Sequence, residues 1–403
     1  MNSRFTSIDA FRAVTMLLMI FVNDLWTLHD IPEWLGHAEP QEDRLGFSDI
    51  IFPAFLFIVG LSVPIAIDNR LKKGNSALSI QQHILWRGFA LLVMGFFHYN
   101  LENYSNEALL PKGIWEILLT IAFFLVWLDY SQWKEQTARA LKITGILLLV
   151  ALSILYKGRY EDGLWMQHGW WGILGLIGWT YLVVSSVYLW SRGDLRIQYI
   201  ALAVFLCLNC LGAMGMLDFL SGVKQYVWLV SDGSMPAIAM AGIITSITYR
   251  NLGSKNRQFW TFVVISSIVL IGFGLSTRPE WGISKIHATP SWTVICTGLS
   301  IITFALIVFL IDINGVVKWY DLIKPAGVVT LTCYLLPYIH SGLFQLVDVR
   351  LPLFLRTGSV GLIKSLVFAW LIIVVAGVVE RKKDCIKGVR SSRIVLLPSQ
   401  QFT

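Results

Sequence analysis

Charge is scarce in this chain. Only 14% of its 403 residues are Asp, Glu, Lys or Arg, against 56% that are hydrophobic, a balance that excludes an ordinary soluble core. Cysteine is sparse too, with five residues at 207, 210, 296, 333 and 385, and their spacing gives no exported disulfide framework. Cys207 and Cys210 form a C-x-x-C inside an apolar stretch with no histidine nearby, so buried packing is expected there and not redox or metal chemistry. No A-x-A cleavage site follows the first apolar run; preceded by Arg4, that run reads as a retained span. The two halves carry no convincing repeat and no matched pair of broken helices, although Pro53, Gly60 and Pro64 interrupt one segment.

What the chain does have is a succession of apolar runs near the roughly 20 residues that cross a bilayer. They fall at 10–29, 47–69, 80–100, 113–130, 139–156, 170–191, 197–217, 232–249, 258–276, 290–312, 325–345 and 358–380. The expected fold is an all-α polytopic membrane protein of about twelve transmembrane helices. Residues 1–403 form one domain, with 381–403 as a short basic tail. Ser48 with Asp49 is expected to cap the second helix, Asp232 and Ser234 with Pro236 to open the eighth, and Pro325 to open the eleventh. Lys and Arg concentrate on one set of alternate connections, including Arg70, Lys72, Lys73, Arg250, Lys255, Arg257 and the tail, which puts both termini in the cytoplasm. That asymmetry accounts for the net charge of +7, so no nucleic-acid partner is expected.

Polar residues within such spans carry a large desolvation cost and mark candidate sites. The alternating topology sorts them into two groups. Asp9, Arg12, His83 and Arg87 fall in the cytoplasmic half. Asp9 and Arg12, three apart, can pair on one helix face, as can His83 and Arg87, four apart. Arg12 and Arg87 are candidates to receive the phosphates of an anionic ligand, whereas Lys72 and Lys73 read as interfacial anchors. Asn23, His37, Asp49, His98, Glu116, Asp232, Lys285, His287 and His340 fall toward the outer face. Asn23 lies eleven residues, about 16 Å, beyond Arg12 and is a plausible donor to a developing oxyanion. His37 is the side chain in its acidic loop whose reference pKa suits general-base work.

The runs RFTSIDAFRA, MIFVND and DIIFPAFLFIVGLSVPIAI, with WRGFALL at 86–92, Asp232-Gly233, the TPSW stretch ending at 292 and YLLPYIHSGLF at 334–344, resemble the heparan-alpha-glucosaminide N-acetyltransferase family within the transmembrane acyltransferases. The resemblance covers nearly the whole chain. It implies an enzyme that takes acetyl-CoA from the cytoplasm and passes the acetyl group to an amino sugar or other glycan acceptor beyond the membrane, without a metal. It also implies a homodimer and, with short loops, a bacterial inner membrane and a periplasmic acceptor. Carried over residue by residue, the family histidine matches His37, its asparagine Asn23, the aspartate opening the FP helix Asp49, and the D-x-F-R pair Asp9 and Arg12. His37 then acts as base or accepts the acetyl group itself. His83 joins Arg12, Arg87 and Asp9 at the donor end, and Asp232, Lys285, Glu116, His98 and His340 are candidates to contact the acceptor.

The chain departs from the family in three places. The His37 to Asp49 spacing is lengthened by EPQED, Glu116 stands in a stretch where the family often carries an arginine, and residues 167–186 with the helix after them form an extra pair. Position 23 is Asn where broader acyltransferases carry R-x10-H, which moves the expected base to His37. Trp26, Trp34, Trp170, Trp171 and Trp281 read chiefly as interfacial anchors, with Trp26 and Trp34 also acceptor candidates because they flank His37. Rival readings are a transporter of a small anion or sugar along the same polar path, and an inert scaffold that kept the fold.

Overall fold

The computed structural model describes residues 6–131, 133–159, 165–169, 172–224, 226–227 and 232–387, with side chains to 380. Arg4, Trp170, Trp171 and the last part of the basic tail lie outside the described residues. Among those described, all regular structure is helical, apart from two isolated bridges. The long helices are α1 (Thr6–Asp24), α2 (Ser48–Lys72), α3 (Ala77–Glu102), α4 (Lys112–Trp127), α5 (Glu135–Ile154), α6 (Ile173–Trp190), α7 (Leu195–Ala213), α8 (Ser234–Leu252), α9 (Arg257–Trp281), α10 (Pro290–Val308), α11 (Thr330–Leu346) and α12 (Gly358–Lys387). Eight candidate spans are long and apolar enough to cross a membrane: α2, α3, α5, α6, α7, α9, α12, and α10 with the π-helical turn that extends it to Ile313. α4 and α11 are short, α1 carries Asp9, Arg12 and Asp24, and α8 is diluted by Ser, Thr and Gly.

The polar and small residues that lower the hydropathy of α8 are the ones that let it sit at the centre. It is buried along almost its whole length against α2. The approach is backbone to backbone: a Cβ on Gly60 would collide with the Ala239 carbonyl, so only glycine fits there. α2 and α10 are also mostly inside, with 72% and 67% of their apolar windows buried. α5, α7 and α9 lie at the periphery, with 22%, 11% and 22% buried, and turn Ile, Val, Leu and Phe outward as lipid demands.

Local punctuation differs from expectation at three points. Ser48 does not cap α2; its hydroxyl donates to the Leu35 carbonyl at 2.6 Å and ties the incoming loop to the helix start. Pro325 opens only a short helix, Lys324–Val328, and the chain breaks at Val329 before α11 begins. Cys207 is exposed and Cys210 half-buried on the outward α7, so this C-x-x-C faces away from the bundle and is not packed inside it.

Candidate active site

The loop between α1 and α2 folds back on the start of α2. Its key contact is His37 Nδ1 to Asp49 Oδ1, at 2.6 Å. Asp49 is 1% exposed, and its second oxygen accepts the Ala38 N–H at 3.0 Å and the Gly46 N–H at 3.1 Å. Gly46 passes so close to the Gly36 carbonyl that a side chain would clash. An ionised carboxylate only accepts, so the imidazole proton sits on Nδ1 and Nε2 keeps its lone pair. The His37 side chain is 48% exposed, so that lone pair is reachable from outside.

A third group comes from far along the chain. Lys285, in the connection between α9 and α10, places Nζ 3.3 Å from His37 Nδ1. Because Nδ1 donates to Asp49, the ammonium acts there as a nearby positive charge and not as a second hydrogen-bond partner. Burial lowers the Lys285 pKa below the usual lysine value, and the Asp49 carboxylate opposes that shift. Two features of the TPSW stretch hold this corner. Thr289 caps α10 by accepting the Trp292 N–H, and the fully buried Trp292 donates its indole N–H to the Asp49 backbone carbonyl at 3.2 Å. Asp43, within the inserted EPQED, pins the loop to the same connection. It receives Arg278 Nε at 2.8 Å and the Ile283 N–H at 2.7 Å, while Arg278 Nη2 donates to its carbonyl. Burial alone would raise the Asp43 carboxyl pKa, but those bonds outweigh it and hold the group below its ordinary value.

The remaining outer residues are spread around this centre. Asn23 is exposed on the last turn of α1, and no hydrogen bond joins it to His37 among the described residues. Trp26 and Trp34 are 84% and 61% exposed, Trp34 with its ring edge against Phe47. Asp232 is buried and accepts the Ser234 N–H ahead of α8, the expected opening of that helix. His340 packs against Phe344 and Phe368. Glu116 accepts from Gln345 at 3.0 Å, and His98 stacks on Tyr338.

At the opposite end, Arg12 is buried and held three ways. It donates to Asp9 at 3.1 Å, to the Gly327 carbonyl at 3.0 Å and to Ser62 at 2.7 Å, linking α1, α2 and the short helix before α11. The expected Asp9–Arg12 pair therefore forms. His83 does not pair with Arg87; its Nε2 accepts from Arg70 Nη2 at 2.9 Å. Arg87 lies 4.9 Å over the Tyr181 ring, and its Nε is buried without a hydrogen-bond partner among the described residues. Arg87 acts electrostatically on Arg12, Arg70 and His83, and Arg70 on His83, while Asp9 is ion-paired with Arg12. An unpartnered guanidinium N–H amid gathered positive charge fits an anionic phosphate group. Arg70, which the sequence sets near Arg12 and Arg87 as a further basic residue, reaches His83 across the turn between α2 and α3.

A family model described as Domain of unknown function (DUF5009) matches residues 4–230. The chain belongs to that family. The matched region holds His37, Asp49, Arg70 and Arg87, while Lys285 lies beyond it. Two curated relatives are both named heparan-alpha-glucosaminide N-acetyltransferase. The one from Mus musculus is 29% identical over 136 residues, 33% of this chain and 20% of that protein. The one from Homo sapiens is 32% identical over 105 residues, 25% of this chain and 14% of that protein. The matches thus span a fifth or less of those relatives' own length. The family resemblance read from the sequence motifs stands.

Proposed function

We propose that the protein is a membrane acetyltransferase. It takes the acetyl group of cytoplasmic acetyl-CoA and transfers it to an amino sugar or other glycan acceptor on the opposite face of a bacterial inner membrane. In this reading all twelve long helices cross the bilayer and both termini are cytoplasmic. The observation that carries it is the His37–Asp49 pair, a general base with its tautomer fixed by a buried carboxylate. The names of the matched relatives support the reaction class.

His37 Nε2 takes the proton of the acceptor amine or hydroxyl as that atom attacks the thioester carbonyl. The new C–N or C–O bond forms, the C–S bond breaks, and the imidazolium returns the proton to the departing sulfur. In the two-step variant Nε2 itself attacks and holds the acetyl group before the acceptor arrives. Asn23 donates to the developing oxyanion, and Lys285 stabilises negative charge beside the dyad. Asp232, Trp26 and Trp34 lie on the acceptor side. At the donor end Arg87, Arg70 and His83 hold the phosphates, with Arg12 setting the helix positions beneath them.

The test uses purified protein, acetyl-CoA labelled in the acetyl group, and amino sugars. Transfer is expected in the wild type. His37→Ala is expected to lose it by about 10²–10⁴-fold while keeping the thermal shift produced by CoA. Absence of both turnover and any CoA-dependent shift in the wild type would overturn the reading.

A further inference from the structure

Lys285 Nζ stands 3.3 Å from His37 Nδ1, and that nitrogen already gives its proton to Asp49. The carboxylate cannot take the lysine as well, because one oxygen accepts the imidazole N–H and the other accepts the Ala38 and Gly46 N–H groups. Among the described residues the Lys285 amine therefore has no ion pair and no oxygen acceptor. Other lysines are held differently: Lys157 donates to Glu107 at 2.7 Å and Lys364 to Asp24 at 2.6 Å, contacts that keep an amine protonated. At Lys285 burial favours the uncharged amine, against the pull of the Asp49 charge. The uncharged amine is the form that attacks a carbonyl carbon.

The backbone that carries Lys285 is fixed on both sides. The Ser284 N–H donates to Thr289 Oγ1 at 3.1 Å, and that hydroxyl donates to the Gly282 carbonyl at 3.0 Å. The buried Asn209 of α7 donates to the Ala288 carbonyl at 2.8 Å, and Ala288 itself is held at a φ of 49°. A residue with a Cβ keeps that left-handed conformation only where its surroundings over-determine it. The root of the lysine is thus stationary, while its flexible four-carbon stem turns about its own bonds. An amine tethered in this way beside a general base has a high effective concentration there.

We propose that Lys285 is an internal acetyl acceptor: when no external acceptor occupies the site, the His37–Asp49 dyad acetylates its own lysine. This rests on the transferase reading, which supplies acetyl-CoA. The ammonium first releases one proton to solvent. Nζ then attacks the thioester carbonyl while His37 Nε2 takes a second proton from it. The N–C bond forms, the C–S bond breaks, and the imidazolium returns that proton to the departing sulfur, leaving an acetylated lysine and free CoA thiol. The amide is uncharged, so the positive group beside the dyad is removed.

Purified full-length protein is incubated with acetyl-CoA carrying a deuterated acetyl group, with and without amino sugars, and the label on each lysine is followed by peptide mass spectrometry. Without sugar, Lys285 is expected to gain label about tenfold or more faster than Lys157, whose slow labelling gives the background of unassisted chemistry. An amino sugar that is itself acetylated is expected to suppress the label on Lys285. His37→Ala is expected to slow labelling of Lys285 about 10²–10⁴-fold, with Lys157 unchanged and the CoA-dependent thermal shift retained as the control for folding. Equal labelling of Lys285 and Lys157, or labelling of Lys285 that is the same in His37→Ala, would overturn the proposal. If amino sugars are acetylated while Lys285 stays at background, the internal acceptor is overturned and the transferase stands. If Lys285 is labelled through His37 but no sugar ever is, the glycan acceptor is overturned and the internal acceptor stands.

Discussion

Asp49 accepts three hydrogen bonds through two oxygens, two from backbone N–H groups and one from the imidazole. Such a carboxylate is fixed in place before any substrate arrives, and the imidazole inherits that fixed orientation. Asp49→Asn would present an amide able to hold the wrong tautomer, so kcat is expected to fall about 10²–10⁴-fold with little change in donor KM. Steady-state kinetics with labelled acetyl-CoA measure both quantities. Arg87 makes the opposite case. Its Nε–H has no hydrogen-bond partner among the described residues, so Arg87→Ala is expected to raise donor KM about ten- to a hundredfold, the worth of a charge-assisted hydrogen bond, while kcat changes less. Arg12→Ala has a different outcome because its guanidinium joins three segments; loss of thermal stability is expected there, since its removal breaks the buried bonds to Asp9, Ser62 and the Gly327 carbonyl that tie those segments together.

At the scale of elements, the loop between α1 and α2 and the connection between α9 and α10 behave as one unit, joined by Asp43 to Arg278 and Ile283. The sign of its pH dependence follows from the lowered Asp43 pKa. The latch contributes fully above the ordinary Asp value and is lost as pH falls through the lower, folded-state value. Hydrogen exchange at the Ile283 amide is expected to accelerate on acidification through that range in the wild type, and to be fast throughout in Asp43→Ala. Gly46→Ala is expected to spoil the same corner by pushing the loop off the Gly36 carbonyl, with a destabilisation of about 1–3 kcal/mol measurable by thermal unfolding.

These elements also mark how far the sequence could be read. Long apolar runs announce helices because the bilayer leaves the backbone few alternatives, and Asp9 with Arg12 declare their pairing because they are one turn apart. His37 stands out by its reference pKa and, with Asp49, by the resemblance, but nothing in the lengthened loop between them announces that the two side chains meet. Asp43 explains that length: the added residues reach the next connection. Lys285 beside His37 was beyond local pattern, since 248 residues separate them. His83 likewise joins Arg70 of α2 instead of the residue on its own helix face, a partner that the spacing within α3 does not announce.

Across the whole molecule, α2 runs unbroken from the dyad to the basic cluster. Asp49 stands in its first turn, Ser62 under Arg12, and Arg70 near its end. Ser62 is thirteen residues and Arg70 twenty-one residues from Asp49, or about 20 Å and 32 Å along the axis at 1.5 Å per residue. The helix therefore works as a measuring rod, and it cannot shorten because α8 is seated against its backbone at Gly60. In the transferase reading, a donor must be long enough to touch the arginines while its thioester reaches the imidazole. An acetyl thioester cut down to the small cysteamine end meets only one mark on that rod. It is expected to be a poor substrate in kcat as well as in KM, because the contact that would hold it at the correct length is missing.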